Sequence, residues 1–130
     1  MAPKNDPLRR SDWIQWVGPM FRAEMRCEYC GLDGRDDLAG FRQLCYGLDH
    51  LIPKSIKRDG IDDPENLVVS CAACNRRKGA FDPRDENPDG TRDNNTPRER
   101  MITNVKEYLR GDMGYHEEAW SAFRAALSNI

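Results

Sequence analysis

The sequence predicts a small α+β domain in which two short strands and a helix are stapled by four cysteines and flanked by further helices. Three observations carry that prediction. The cysteines fall in two Cys-x-x-Cys pairs, Cys27–Cys30 and Cys71–Cys74, with 40 residues between them. Between the pairs lie two short runs of strand type, Leu44–Ile52 and Asn66–Ser70, and the second leads into Ala72–Lys78, whose alanines and basic residues suit a helix. Both ends of the chain place apolar residues at helical spacing. A length of 130 residues gives room for one domain, here 1–130 with a core of about 27–83.

Each element has its local signal. Ser11 is placed to cap a short helix bearing Trp13, Ile14 and Val17, which Gly18-Pro19 interrupts. Pro19 suits the first turn of a second helical stretch, Met20 to Arg26. Residues 31–43, rich in Gly and Asp, read as a loop. The first strand runs into Pro53, and SIKRDGIDDPE is a turn-rich connection to the second. Gly79 stands near the end of the 72–78 helix. Prolines, a glycine and many Asp and Asn make 82–96 a mobile linker. Thr96-Pro97-Arg98-Glu99 then reads as a capping box with Pro at the first helical position. Met101, Ile102, Val105, Tyr108 and Leu109 follow on one face, Gly111 closes that helix, and Trp120, Phe123, Leu127 and Ile130 stripe a last one, so two C-terminal helices are expected over 97–130. No internal repeat is present.

Composition narrows the class. Charged residues make up 32% of the chain, which describes a surface-rich domain with a modest core in need of a staple. No apolar run approaches membrane-spanning length, and MAPKNDPLRRSD lacks the hydrophobic segment of a secretory signal. The expectation is therefore a cytoplasmic protein with reduced cysteines and no membrane partner. A net charge of −2 weighs against a tight nonspecific nucleic-acid binder. Charge is unevenly placed, however: Lys54–Lys78 holds six basic residues against four acidic ones, and Phe21–His50 four against six.

Two residues between thiols let both sulfurs face one ion, and two such knuckles complete the tetrahedral shell that Zn²⁺ prefers. A closed four-sulfur shell is structural rather than catalytic. Disulfide pairing is the alternative, and a thioredoxin-like redox motif fits less well, since no βαβ pattern surrounds either pair. Cys45, the odd cysteine, reads as a buried, inert thiol.

Inside the loop closed by the cysteines lie Leu48-Asp49-His50-Leu51-Ile52-Pro53, then Asn66-Leu67-Val68, then Cys74-Asn75-Arg76-Arg77-Lys78-Gly79. Singly these residues are ordinary; in this order, bracketed by the knuckles, they resemble the HNH endonuclease family. The resemblance covers about half the chain, Cys27 to Pro83, and rests on CEYCG, LDHLIP and ENLVVSCAACNRRKG. Fifteen residues separate His50 from Asn66 and eight separate Asn66 from Asn75, spacings similar to the family's. The resemblance implies a ββα-metal fold in which two antiparallel strands and a helix grip one divalent ion. It implies His50 as general base, Asp49 as a metal ligand, Asn66 as the residue that orients the His50 segment, and Asn75 as the second protein ligand. At that last position the sequence has Asn where the family's name has His.

The residue types suit phosphodiester hydrolysis on their own terms. The reaction needs a water deprotonated near neutral pH, the task of an imidazole. It also needs charge neutralised on the phosphate, which an ion bound by few protein ligands can supply. Asp49 and Asn75 both offer hard oxygen, the donor set of Mg²⁺ or Mn²⁺. Arg76, Arg77 and Lys78, beside Asn75, are candidate phosphate contacts. The expected function is metal-dependent hydrolysis of DNA, with nicking by a single site; the oligomeric state, monomer or homodimer, stays open. A non-enzymatic zinc-ribbon module and a disulfide-stapled secreted domain are the competing readings.

Overall fold

The computed structural model describes residues 6–129, the side chains of 112–115 excepted. Six regular elements follow in order: α1 (Ile14–Arg22), α2 (Leu38–Leu44), β1 (Asp49–His50), β2 (Leu67–Val68), α3 (Ala72–Lys78) and α4 (Arg98–Leu127). The strand–strand–helix order expected of the core is present. β1 and β2 pair antiparallel, with Asp49 opposite Val68 and His50 opposite Leu67. Leu44, Leu51, Val68, Val69, Val105 and Leu109 pack with Tyr29 and three of the cysteines into one core that joins the sheet, α3 and α4.

The N-terminal helix is single where the sequence suggests two. α1 runs through Gly18-Pro19, with Trp16 and Pro19 both buried, so packing of that face outweighs the missing proline N–H. The next stretch is not helical: Glu24 and Met25 both take positive φ, 53° and 55°, and turn the chain into the first knuckle. Ser11 does not cap α1, which starts after Trp13 with no side-chain cap bond, while Asp6 caps a short 3-10 turn over Pro7–Arg9. The expected loop at 31–43 contains α2, started by the Asp37 carboxylate accepting from the Gly40 amide at 3.0 Å.

The first strand is much shorter than Leu44–Ile52, because Leu44 ends α2 and a bend follows His50. The ladder nonetheless continues by other means. The Leu51 amide donates to Asn66 O at 2.8 Å, and the Ile52 amide donates to the Asn66 side chain at 2.8 Å. α3 occupies the span expected of it, from the Cys71 cap to Gly79, whose φ of 53° ends the helix.

The 82–96 segment is an ordered loop rather than a mobile linker. Asp82 pairs with Arg84 at 2.7 Å, the Asp85 amide donates to Thr96 Oγ1 at 3.0 Å, and Asn104 donates to Pro83 O at 2.8 Å. Short Asp, Asn and Thr side chains satisfy this turn-rich backbone locally. Thr96 is thereby used up, its hydroxyl donating to Asp93 O at 2.7 Å, and no side chain caps α4, so the expected capping box does not form. Gly111 closes nothing: α4 is one helix of 30 residues. A glycine inside a helix costs only about 1 kcal/mol, and no proline follows to enforce a stop. Of the expected last stripe, Trp120, Phe123 and Leu127 are exposed, and Ile130 lies outside the described residues. Among the described residues no helix is long and apolar enough to cross a membrane.

Candidate metal centre and adjoining cleft

The knuckle Cys27–Cys30 and the start of α3 meet at the edge of the core. The sulfurs of Cys27, Cys30, Cys71 and Cys74 all lie within 4.8 Å of one another, with Cys30 the exposed member. All four are free thiols, and Cys30 Sγ stands 3.7 Å from Cys71 Sγ, far beyond a disulfide bond. A regular tetrahedron built on metal–sulfur bonds of about 2.3 Å has edges of about 3.8 Å, so the cluster fits one such ion. Backbone donors face the sulfurs: the Cys30 amide points to Cys27 Sγ at 3.4 Å and the Cys74 amide to Cys71 Sγ at 3.5 Å. Such bonds favour thiolate. The hydrogen bond from Cys30, followed by those from Cys71 and Cys74, pulls the Cys27 thiol well below its ordinary range; Cys74, as partner of Cys27, is pushed up. Cys45, at the end of α2, stands apart and half-buried, its thiol raised by burial.

From this cluster Tyr29 reaches to the first strand. Its hydroxyl donates to Asp49 Oδ2 at 2.6 Å, and Lys78 Nζ approaches the same oxygen at 3.3 Å. Both contacts fall on one oxygen, which leaves Oδ1 for another partner. Burial pushes the Asp49 carboxyl above the usual carboxylate range, against the opposing pull of Lys78 and Tyr29. Burial likewise lowers the Lys78 ammonium, with Asp49 opposing it. Lys78 also donates to His50 O at 2.9 Å. Expected as a phosphate contact, Lys78 is instead fully buried and spans β1 from beneath. Its four-carbon stem lets α3 bring the charge inward, where Asp49 compensates it.

His50 sits next to Asp49 on β1, half-buried, with Nε2 2.8 Å from the Asp62 carboxylate. Asn66, immediately before β2, is buried and uses both ends of its amide. Oδ1 accepts from the Ile52 amide at 2.8 Å, while Nδ2 donates to Ile52 O at 3.1 Å and Ile61 O at 2.7 Å. Asn75 on α3 turns Nδ2 toward Gly47 O at 3.5 Å, which leaves its Oδ1 uncommitted by that bond. Asp49, His50 and Asn75 line one cleft of about 260 Å³ together with Pro53, Lys54 and Ser55.

The structure therefore brings Asp49, His50 and Asn75 to one place, with Asn66 behind them and the four cysteines alongside. It divides the basic trio: Arg76 is exposed, Arg77 donates to Leu109 O at 3.0 Å on α4, and Lys78 is buried. Two partners escaped the sequence reading. Tyr29 carries a positional signal, standing between the cysteines of a knuckle. Asp62 carries none beyond its place in a turn, because its contact to His50 forms across 12 residues.

Among known families, the HNH endonuclease model matches residues 27–81, from the first knuckle to just beyond α3. No curated protein and no solved structure matches the chain.

Proposed function

We propose that this chain, which carries an HNH endonuclease domain over residues 27–81, is a metal-dependent endonuclease that hydrolyses DNA phosphodiester bonds with His50 as general base. The observation that carries this reading is the shared cleft of Asp49, His50 and Asn75, beside a four-sulfur cluster. The cysteines suit a structural Zn²⁺, having no sulfur to spare for chemistry and a closed shell around the ion. Asp49 through Oδ1 and Asn75 through Oδ1 suit a second ion of the Mg²⁺ or Mn²⁺ type, since both donors are hard oxygens. Such an ion would supply charge neutralisation on the phosphate undergoing attack.

The remaining work belongs to the chain's own groups. His50 takes the proton from the attacking water as its oxygen bonds to phosphorus and the bond to the leaving sugar oxygen breaks. Asn66 holds the segment after His50 by two hydrogen bonds to Ile52, which keeps the imidazole at the mouth of the cleft. Lys78 keeps Asp49 in place from the buried side. Arg76, exposed on α3, is available to a flanking phosphate.

Supercoiled DNA incubated with the purified protein and each of several divalent metals tests the reading. One site per chain should give open circles first and linear product later. His50→Ala should stay folded and lose on the order of 10²–10⁴ in rate. Cleavage by His50→Ala at the wild-type rate would remove His50 as the base, and no cleavage with any metal would leave the non-enzymatic zinc-module reading in its place.

A further inference from the structure

Asp62 stands outside every motif discussed above, yet among the described residues its side chain bonds to the His50 ring, at 2.8 Å from Nε2. Its position is held from both sides. The carbonyl of the preceding residue, Ile61, accepts from Asn66 Nδ2 at 2.7 Å. The amide of the following residue, Asp63, donates to Gly60 O at 3.0 Å, and Asp63 O accepts from the Asn66 amide at 2.7 Å. Gly60 takes a φ of +77°, a left-handed conformation that favours glycine in this turn. A single buried amide, Asn66, thus ties the end of the His50 strand to the turn that carries Asp62.

We propose that Asp62 is a positioning residue for His50: its carboxylate accepts from Nε2–H, orients the ring, and leaves Nδ1 as the nitrogen that takes the proton from water. This rests on the reading of His50 as general base. An imidazole with one nitrogen engaged as donor must act as base through the other, because a neutral ring carries a single N–H. A carboxylate partner also stabilises the imidazolium that forms after proton transfer. The pair does little for stability, since Asp62 is 73% exposed and exposed ion pairs contribute little. Its value is geometric.

Asp62→Ala, Asp62→Asn and Asp62→Glu test the assignment against wild type. Asp62→Ala should melt with wild type, keep KM, and lose on the order of 10–100-fold in kcat, the usual cost of losing a carboxylate that orients a histidine. Asp62→Asn keeps an acceptor oxygen without the charge and should fall between the two; Asp62→Glu should recover part of the loss. Proton NMR gives a readout independent of cleavage: a downfield His50 Nε2–H resonance should be present in wild type and absent from Asp62→Ala. Wild-type kcat in Asp62→Ala, or an unchanged resonance, would overturn the positioning role while leaving His50 as base. A wild type that cleaves nothing would overturn the nuclease reading and this one with it, whereas loss of the resonance together with loss of kcat supports both.

Discussion

Asn75 holds its amide nitrogen toward Gly47 O and lines the cleft with Asp49 and His50, so the chemistry of one oxygen atom bears on metal choice. An amide oxygen and a carboxylate oxygen form a hard pair suited to Mg²⁺ and Mn²⁺; an imidazole at the same position would add a nitrogen donor, which Ni²⁺ and Zn²⁺ favour. Asn75→His should therefore shift cleavage activity toward those two ions, and Asn75→Ala should weaken use of every metal. Titrating cleavage against each metal for the three proteins checks this, and identical profiles for wild type and Asn75→His would remove Asn75 from the ion's surroundings. Lys78 makes the contrasting case. Chemically it suits a phosphate as well as Arg76 does, yet its ammonium ends between His50 O and Asp49. Removing it would leave a buried carboxylate without its counter-charge, a change of structure rather than of DNA contact.

Among the elements, α4 divides into two unlike halves. At a rise of about 1.5 Å per residue, its 30 residues make it about 45 Å long. Its first half buries Met101, Val105 and Leu109, anchors Arg77 of α3 through Leu109 O, and stacks Tyr108 on Phe81 at 4.1 Å. Its last turns expose Trp120, Phe123 and Leu127, with Arg124 lying over the Trp120 ring at 4.7 Å. Stability should follow that division. Leu109→Ala should cost about 2–5 kcal/mol, the range for truncating a buried leucine. The triple change of Trp120, Phe123 and Leu127 to serine should cost less than that single one, since exposed side chains leave no cavity. Chemical denaturation compares the two; a larger loss from the triple variant would mean that the distal half is packed in solution.

At the scale of the molecule, the four-cysteine cluster is the clasp that closes the chain on itself. It joins Cys30 to Cys71 across 40 residues, and that loop contains α2, both strands and the turn bearing Asp62. An ion held there would close so long a loop, remove much of the unfolded chain's freedom, and so turn its binding into folding free energy. Chelation of the ion should unfold the core together with the cleft, read as joint loss of circular dichroism and cleavage. Cys71→Ser should do the same permanently, because Cys71 is both a cluster member and the cap of α3. A soluble, folded and fully active Cys71→Ser protein would show that the cluster is dispensable.

What the sequence determined by itself lies in short windows. Two-residue spacing encodes each knuckle, alanine and a terminal glycine encode α3, and the ordered run of Asp49, His50, Asn66 and Asn75 marks the residues that meet at or behind one cleft. Signals that compete within a window read less well. Gly18-Pro19 and Gly111 look like breaks yet sit inside helices, because burial of one face and the absence of a following stop outweigh a modest local cost. The Asp and Asn of 82–96 look mobile but bond to one another and to Thr96 and Asn104. Only the tertiary structure decided which way Lys78 turns, which oxygen of Asp49 is engaged by Tyr29, and that Asp62 is the partner of His50. These contacts span 12 to 29 residues of chain, and hydrogen bonding and burial over that range follow from how the elements pack, which no local spacing specifies.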